Sequence, residues 1–575
     1  MKISSRTQSY LLIAILIVAA ILRFRHINQP FIDYFSWREA STAMMADNFY
    51  RRNWNIFYPE ISWDGPGPSY NGREFQTVSY LAALLYVVVG QHDWVGRSVA
   101  VMFGVWGIFA LYKLISCVWD QEHALMGAAV MALLPGSIYI ERQFLPDPAM
   151  VALVTTGCWL LVAYCKTERL QYLLLATAIG TWGFLTKLTG LVVAIPMIYA
   201  MLAILGWKRI LQPKKLLAIG MAAVFSLALV IAYYLWARYL YLTYPPHHFA
   251  GAGSWLWDHG LAKWLSEQYY LPKLYESLNS WLWTKPVIVL VFVGLVLRPP
   301  QWNGNSESNV AQISRHEDAR TRGEAEIFAQ NLSGLPRLAL SASAQTINLV
   351  PKAESDRPLG DNSGATWLFH WWVFGLAMYY LIGAKHLVDQ PYNFHLINPA
   401  AAALAGHAIL AIASLTHRIA RTPASVATIA AILLIIGGLG HRNLWIMYYP
   451  YAEQSYKLGL ALRQISQPGD LVATIPNEIG NPIAIYYSQR RGWVFPPAWS
   501  NIPWWDDLPQ GEDKALIADL DQLRAQGADW LGIVNKQKSK IWQNNPIFVK
   551  YIQRTCELKQ ESPDWLIYRI LPQKQ

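Results

Sequence analysis

Long apolar runs separated by short polar turns recur along the chain from residue 9 to residue 440. Eleven reach membrane-spanning length: about 9–25, 97–118, 123–140, 149–165, 171–187, 189–206, 215–237, 283–298, 366–383, 394–413 and 423–440. A further apolar run, Phe75 to Val89, would reach only about 22 Å as a helix, against a hydrocarbon core of roughly 30 Å. Its shortness predicts an interfacial helix in place of a span. The pattern predicts a mainly α, polytopic membrane protein with about eleven transmembrane helices, interfacial helices in the first outer loop, and a small C-terminal extracytoplasmic α/β domain. Residues 1–450 form the transmembrane domain and 451–575 the soluble one. Within the first, the polar stretch 299–365 lacks apolar periodicity and reads as a cytoplasmic linker, largely disordered. In the second, "PGDLVATIPN", "ADWLGIVN" and "DWLIYRI" read as strands, and "DKALIADLDQLRAQG" as an amphipathic helix ended by Gly527.

The span count fixes which charges can meet. With the N-terminus inside, the short inner segments hold Lys2, Arg6, Lys113, Lys166, Arg169, Lys208, Arg209, Lys214, Lys215, Arg418 and Arg421. The short outer turns hold only Arg142, Lys187 and Lys385. That bias is the positive-inside pattern. Eleven spans then leave the C-terminus outside and put Asp33 and Asp147 on one outer face. A span at 75–89 would separate them.

Composition adds little to this picture. The chain is 54% hydrophobic and 15% charged, which excludes an ordinary soluble protein. The net charge of +10 is accounted for by membrane orientation and does not call for nucleic acid. The first run, Tyr10 to Leu22, is no signal peptide, because no small-residue cleavage site follows it. Four cysteines give no disulfide framework. Cys158 and Cys165 lie about 10 Å apart along one helix, too far for a bridge.

The candidate chemistry lies in the outer segments. In "FIDYFSWREA", Ser36 and Glu39 have capping-box spacing, so a helix is expected to start near Trp37 and lie on the membrane surface. Asp33 precedes that helix and has no capping role, which marks it for function. Arg38 points elsewhere on the first turn. "ERQFLPDPAM" carries Arg142 and Asp147 in a very short turn, where a mutual salt bridge is the structural alternative. "GFLTKLTG" places Lys187 in an apolar hairpin, where snorkelling would also explain it. Glu74 heads the interfacial helix, where it could compensate the helix dipole. "GAKHLVDQPYNFHLINPA" adds Lys385, His386, Tyr392 and His395. "YPPHHF" adds His247 and His248. Together these place carboxylates and cations around one outer pocket at membrane level. Such a mix suits a lipid-linked phosphate, with cations holding the phosphate and a carboxylate handling a proton. Lys187, Arg142 and Lys385 are the candidates for the phosphate. No cofactor is implied. A divalent metal at Glu74 with His247 or His248 stays open, without ligand spacing to support it.

In order and common side, these stretches resemble the C-type (GT-C) membrane glycosyltransferases. The acidic residue after the first span, the Glu-headed interfacial helix, "YIERQFLPDPAM", "GFLTKLTG" and the late "KH…PYNFHLINPAAAALAG" carry the resemblance, over roughly residues 10 to 450. The group they are most similar to is the protein O-mannosyltransferase and aminoarabinose (lipid A) transferase superfamily, glycosyltransferase family 39. The resemblance implies transfer of a sugar from a polyprenyl phosphate to a lipid, glycan or protein acceptor on the outer face of the cell membrane, with inversion. It places Asp33 as the catalytic acidic residue and Asp147 as the second acidic residue, after an arginine that Arg142 matches. It puts Glu74 where the aminoarabinose transferases carry a glutamate. The remaining donor contacts expected are Arg38, Lys187, Lys385, His386 and Tyr392. Two other classes compete. A lipid or saccharide transporter would also carry intramembrane charges, but no inverted repeat is present. A non-catalytic envelope scaffold would use 451–575 for docking.

Overall fold

The computed structural model describes residues 4–244, 270–300, 364–387, 390–502 and 508–572, with only the backbone of 385, 386 and 419–422. The linker 301–363 and the His247–His248 pair lie outside the described residues.

The membrane part starts with α1 (Ser5–Phe24), α2 (Ser36–Arg51), α3 (Thr77–Val89), α4 (Asp93–Val118), α5 (Gln121–Leu133) and α6 (Pro135–Ile140). It continues with α7 (Asp147–Thr167), α8 (Leu170–Thr186), α9 (Ala194–Ile210) and α10 (Pro213–Thr243). It ends with α11 (Tyr270–Glu276), α12 (Lys285–Val296), α13 (Leu368–Leu387) and α14 (Asn398–Met447). Among the described residues, seven helical segments are long and apolar enough to cross a membrane, or eight with the pair Tyr270–Leu282 and Lys285–Val296, which bends by 111°. The other apolar helices, α3, α8 and Leu368–Ala384, are shorter. The chain is a multi-pass membrane protein, and its exposed surface shows why. Ile13, Ile17 and Ile21 on α1, and Leu217, Val224 and Leu235 on α10, all face outward. Apolar residues in that number on an outer surface need lipid around them.

At the centre lies α7, with 89% of its apolar window buried. It packs on α8 through small residues: a Cβ on Gly157 would meet Gly180 at 2.9 Å. Backbones approach this closely only where side chains are absent. Three expected spans differ from the sequence pattern. The run 123–140 breaks at Leu134, because Pro135 supplies no N–H and opens the new helix α6. The stretches 394–413 and 423–440 form one 50-residue helical stretch, α14, with Pro423 inside. It nevertheless folds back on itself. Asn398 accepts from the Trp283 indole at 2.8 Å, and Asn443 donates to the Trp283 carbonyl at 3.1 Å. Both ends of α14 therefore meet the same residue on the same side of the bundle.

The C-terminal part comprises α15 (Glu453–Ile465), β4 (Leu471–Ile475), α16 (Ile483–Ser488), β5 (Arg491–Val494), α17 (Asp513–Ala525) and β6 (Ala528–Val534). It closes with α18 (Asn535–Asn544), α19 (Pro546–Thr555), β7 (Cys556–Glu561) and β8 (Trp565–Ile570). Its sheet has a sixth strand, and that strand comes from the loop between α2 and α3. This loop contains β1 (Glu60–Ile61), β2 (Asp64–Gly65) and β3 (Ser69–Tyr70), and the sheet order is β2-β5-β4-β6-β8-β7. Asp64 pairs with Trp493, and Gly65 with Gly492, antiparallel. Arg491 fixes the loop by an ion pair to Glu60 and by bonds to the Gly65 and Gly67 carbonyls. The α2–α3 loop and the C-terminal part thus share one sheet.

Asp64 sits in that junction, 2% exposed. Burial pushes its carboxyl up to about 8, against the smaller pull of the Ser69 hydroxyl and Arg491. The folded state therefore holds a proton that the unfolded state releases near pH 4, so this group's contribution falls as pH rises from about 4 to 8. Asp64→Asn lacks that loss. Its thermal midpoint should exceed wild type by more at pH 8 than at pH 5, which a paired melting series would show.

Candidate functional site

The turn after α1 sets the first half of the site. Phe35 adopts a left-handed backbone, φ 62°, and turns the chain into α2. Asp33, just before it, is 2% exposed. Its carboxylate accepts from the Ser36 hydroxyl and from Arg142 Nη1 at 2.5 Å, with Arg97 Nη2 at 3.8 Å. Burial alone would push its carboxyl up, but Arg142 and Arg97 hold it below the usual carboxylate range.

The capping box expected at Ser36 and Glu39 does not form. Ser36 is already the first helical residue, and its hydroxyl bonds the Asp33 and Glu39 side chains. Glu39 takes Arg97 through both oxygens, at 2.8 and 2.9 Å, and accepts the Phe144 N–H at 2.9 Å. α2 is also covered by the protein itself. Its residues from Arg38 to Ala46 are all buried, and it packs against α3 and α16.

Arg142 does not bridge to Asp147. Two further donors go to the His26 carbonyl, at 3.2 and 2.7 Å. In this geometry it orders the Asp33 loop. Beside it, Glu141 takes Arg23 at 2.6 Å and His395 Nε2 at 3.2 Å. Asn398 Nδ2 lies 3.0 Å from His395 Nδ1 and can only donate, so the His395 proton sits on Nε2, facing Glu141.

The second half is a separate charge cluster. Arg38 reaches away from Asp33 and binds both oxygens of Glu74, at 2.6 and 2.7 Å. Arg73 lies 4.0 Å from Glu74, with 39% of its side chain exposed. The helix that Glu74 was expected to head begins only at Thr77, so its charge answers Arg38 and not a helix dipole. Burial would push the Glu74 carboxyl up, but Arg38, Arg73 and Lys187 together hold it below the usual range. Lys187, at the end of α8, does not snorkel. It is 6% exposed and donates to Asp147 at 2.7 Å and Asn393 at 2.9 Å. Asp147 opens α7, and Tyr392 places its ring 5.3 Å from the Lys187 ammonium. Arg38, Arg73 and Lys187 thus lie together with Glu74 and Asp147 in a largely buried place.

The structure brings together Asp33 with Arg142, Arg38 with Glu74, and Lys187 with Asp147 and Tyr392. The side chains of Lys385 and His386 lie outside the described residues. Among the described residues, no group of three or more His, Cys, Asp or Glu could hold a metal ion. Both Glu74 oxygens bind Arg38, and the two histidines expected with it lie outside the described residues. Arg97, Arg73 and Asn393 were missing from the sequence candidates. Arg97 opens an apolar run and reads as interfacial, Arg73 could have been found by its place beside Glu74, and nothing local marks Asn393.

Comparison with known proteins shows what this chain is similar to. Residues 77–236 match the family model described as dolichyl-phosphate-mannose-protein mannosyltransferase. YycA of Bacillus subtilis (strain 168), named as a candidate mannosyltransferase, is 26% identical over 191 residues, 32% of this chain and 26% of the relative. YkcB of the same strain, named likewise, is 26% identical over 196 residues, 33% of this chain and 25% of the relative. The matched part therefore spans about a quarter of the length of these relatives. ArnT from Cupriavidus metallidurans, bound to undecaprenyl phosphate, superposes with a TM-score of 0.55 at 10% identity, over 98% of both chains. AglB from Archaeoglobus fulgidus, in complex with an inhibitory peptide and a dolichol-phosphate, gives 0.50 at 11% identity, over 96% of this chain and 73% of its own.

Proposed function

We propose that this chain, which has the fold of the C-type (GT-C) membrane glycosyltransferases, moves a sugar from a polyprenyl-phosphate donor to an acceptor at the outer membrane face, with inversion. The observation that carries this reading is the Arg38–Glu74 and Lys187–Asp147 cluster next to the turn that holds Asp33. Cations of this kind hold a lipid phosphate, and buried donors bind it more strongly than water-exposed ones. Placement at helix ends on one side supports transfer over transport, where sites lie at the bilayer midplane. The chain would sit in the cell membrane with its N-terminus inside. Residues 1–450 would act as the transferase domain and 451–575 as an outer domain.

The reaction runs in one displacement. The acceptor oxygen attacks the anomeric carbon, and the bond from that carbon to the phosphate oxygen breaks. Polyprenyl phosphate leaves with the electron pair, held by Lys187, Arg38 and Arg73. The acceptor proton passes to Asp33. Arg142 and Ser36 keep that carboxylate in place, and Asp147 keeps Lys187 in place. Lys385 and His386 remain candidates for the same phosphate. Stabilising the charge on the leaving group commonly supplies several kcal/mol.

Lys187→Ala and Arg38→Ala test this directly. Each removes a charge-assisted bond of about 1.5–3 kcal/mol, so the donor KM should rise roughly 10- to 100-fold. Wild-type donor KM in a folded Lys187→Ala protein would mean that the phosphate binds elsewhere.

A further inference from the structure

Beyond the charged residues, four half-exposed aromatic rings meet beside Asp33. Tyr34 stands 4.6 Å from Trp281 and 5.3 Å from Tyr451, and Phe35 stands 5.2 Å from Trp281. The row begins at the donor end: Lys187 lies under Tyr392, and Tyr392 meets Phe35 at 5.5 Å. It ends outside, at Tyr451, which is 37% exposed. Two uncommon backbone states build it. Phe35 is a left-handed non-glycine residue, and Trp281 lies in a π-helical turn, Ser277–Leu282. Each is a local cost that tends to persist at functional sites. Ordinary packing of aromatic rings would require neither.

We propose that Tyr34, Phe35, Trp281 and Tyr451 form an acceptor subsite that stacks a sugar ring of a saccharide-bearing acceptor. This rests on the transferase reading above. Ring faces suit the apolar C–H face of a pyranose, and the rim suits its hydroxyls. Glu478 neighbours Tyr451, whose hydroxyl pKa is raised by burial and by that carboxylate, and Lys536 lies 5.0 Å over the Tyr451 ring. Those charges disfavour an isoprenoid chain, which wants an unbroken apolar lining. The row also leads away from the phosphate cluster, so its occupant is the second substrate. Seated there, an acceptor hydroxyl reaches Asp33 from the outer side.

The test uses the full chain in lipid nanodiscs, titrated calorimetrically with mannotriose, maltotriose and chitotriose, and separately with polyprenyl phosphate. At least one trisaccharide should bind wild type. That binding should weaken tenfold or more in Trp281→Ala and in Tyr451→Ala and persist in Trp281→Phe, with polyprenyl phosphate binding unchanged in all three. Tyr451, being exposed, keeps the test open if Trp281→Ala does not fold. Absence of trisaccharide binding to wild type, or equal binding by Tyr451→Ala, overturns the proposal. So does loss of polyprenyl phosphate binding in these variants, which would give the wall to the donor lipid. None of these readouts needs turnover. A failure of sugar transfer itself would appear separately, as a wild-type protein that binds saccharide yet releases no polyprenyl phosphate.

Discussion

Asp33→Asn should lower turnover about 10²- to 10⁴-fold, the usual cost of losing a general base. Asparagine keeps the shape and can still hydrogen-bond, but it accepts no proton and puts no negative charge beside Arg142. The variant also leaves a buried guanidinium, 0% exposed, short of its counter-charge, so some stability is lost as well. Rates should therefore be compared per folded molecule, with donor affinity measured alongside and expected to hold. Because Arg142 and Arg97 depress the Asp33 carboxyl, its charge and its contribution to stability are present above the ordinary carboxylate range. They are lost only as pH falls through the depressed value. Between pH 7 and pH 5, turnover should show no acid limb from this residue. A limb that disappears in Asp33→Asn would contradict that.

Glu39→Gln should destabilise the protein by about 3–5 kcal/mol, the cost of leaving one partner of a buried ion pair. The spacing Ser36-x-x-Glu39 alone suggests a harmless change, since glutamine serves equally well in a capping box. The structure reverses this. Glu39 is 0% exposed, binds Arg97 through both oxygens and holds the Phe144 N–H. A neutral amide in its place would leave Arg97, also 0% exposed, facing only the more distant Asp33 at 3.8 Å. Denaturant melts of purified protein would show the loss, and Arg97→Met in the same background should recover part of it by removing the stranded charge. A Glu39→Gln protein that melts like wild type would mean that Arg97 is neutralised by something else.

Those two carboxylates show where the sequence was readable. Asp33 stood out because no local rule explained it, and the structure places it between two arginines. Glu39 was hidden because a capping box and a buried ion pair share one spacing, and only the partner on α4 distinguishes them. The spans at α4, α7 and α10, the strands β4, β6 and β8 and the helix α17 all carry their own periodicity, so they were legible. The strand β2 has two residues and no periodicity, and its partner lies at the far end of the chain, so nothing local could reveal it. The break before α6 is a different case. Pro135 was visible in an apolar run, and the length of that run outweighed it.

The most direct measurement follows both products of one reaction. Purified protein in nanodiscs would be given a polyprenyl-phosphate sugar and an acceptor, with released polyprenyl phosphate and glycosylated acceptor quantified together. A transferase gives one polyprenyl phosphate per sugar transferred, with the anomeric configuration inverted and both products nearly abolished in Asp33→Asn. Intact donor recovered on the other side of a sealed vesicle, with no polyprenyl phosphate released, would contradict the transferase reading and make the protein a carrier.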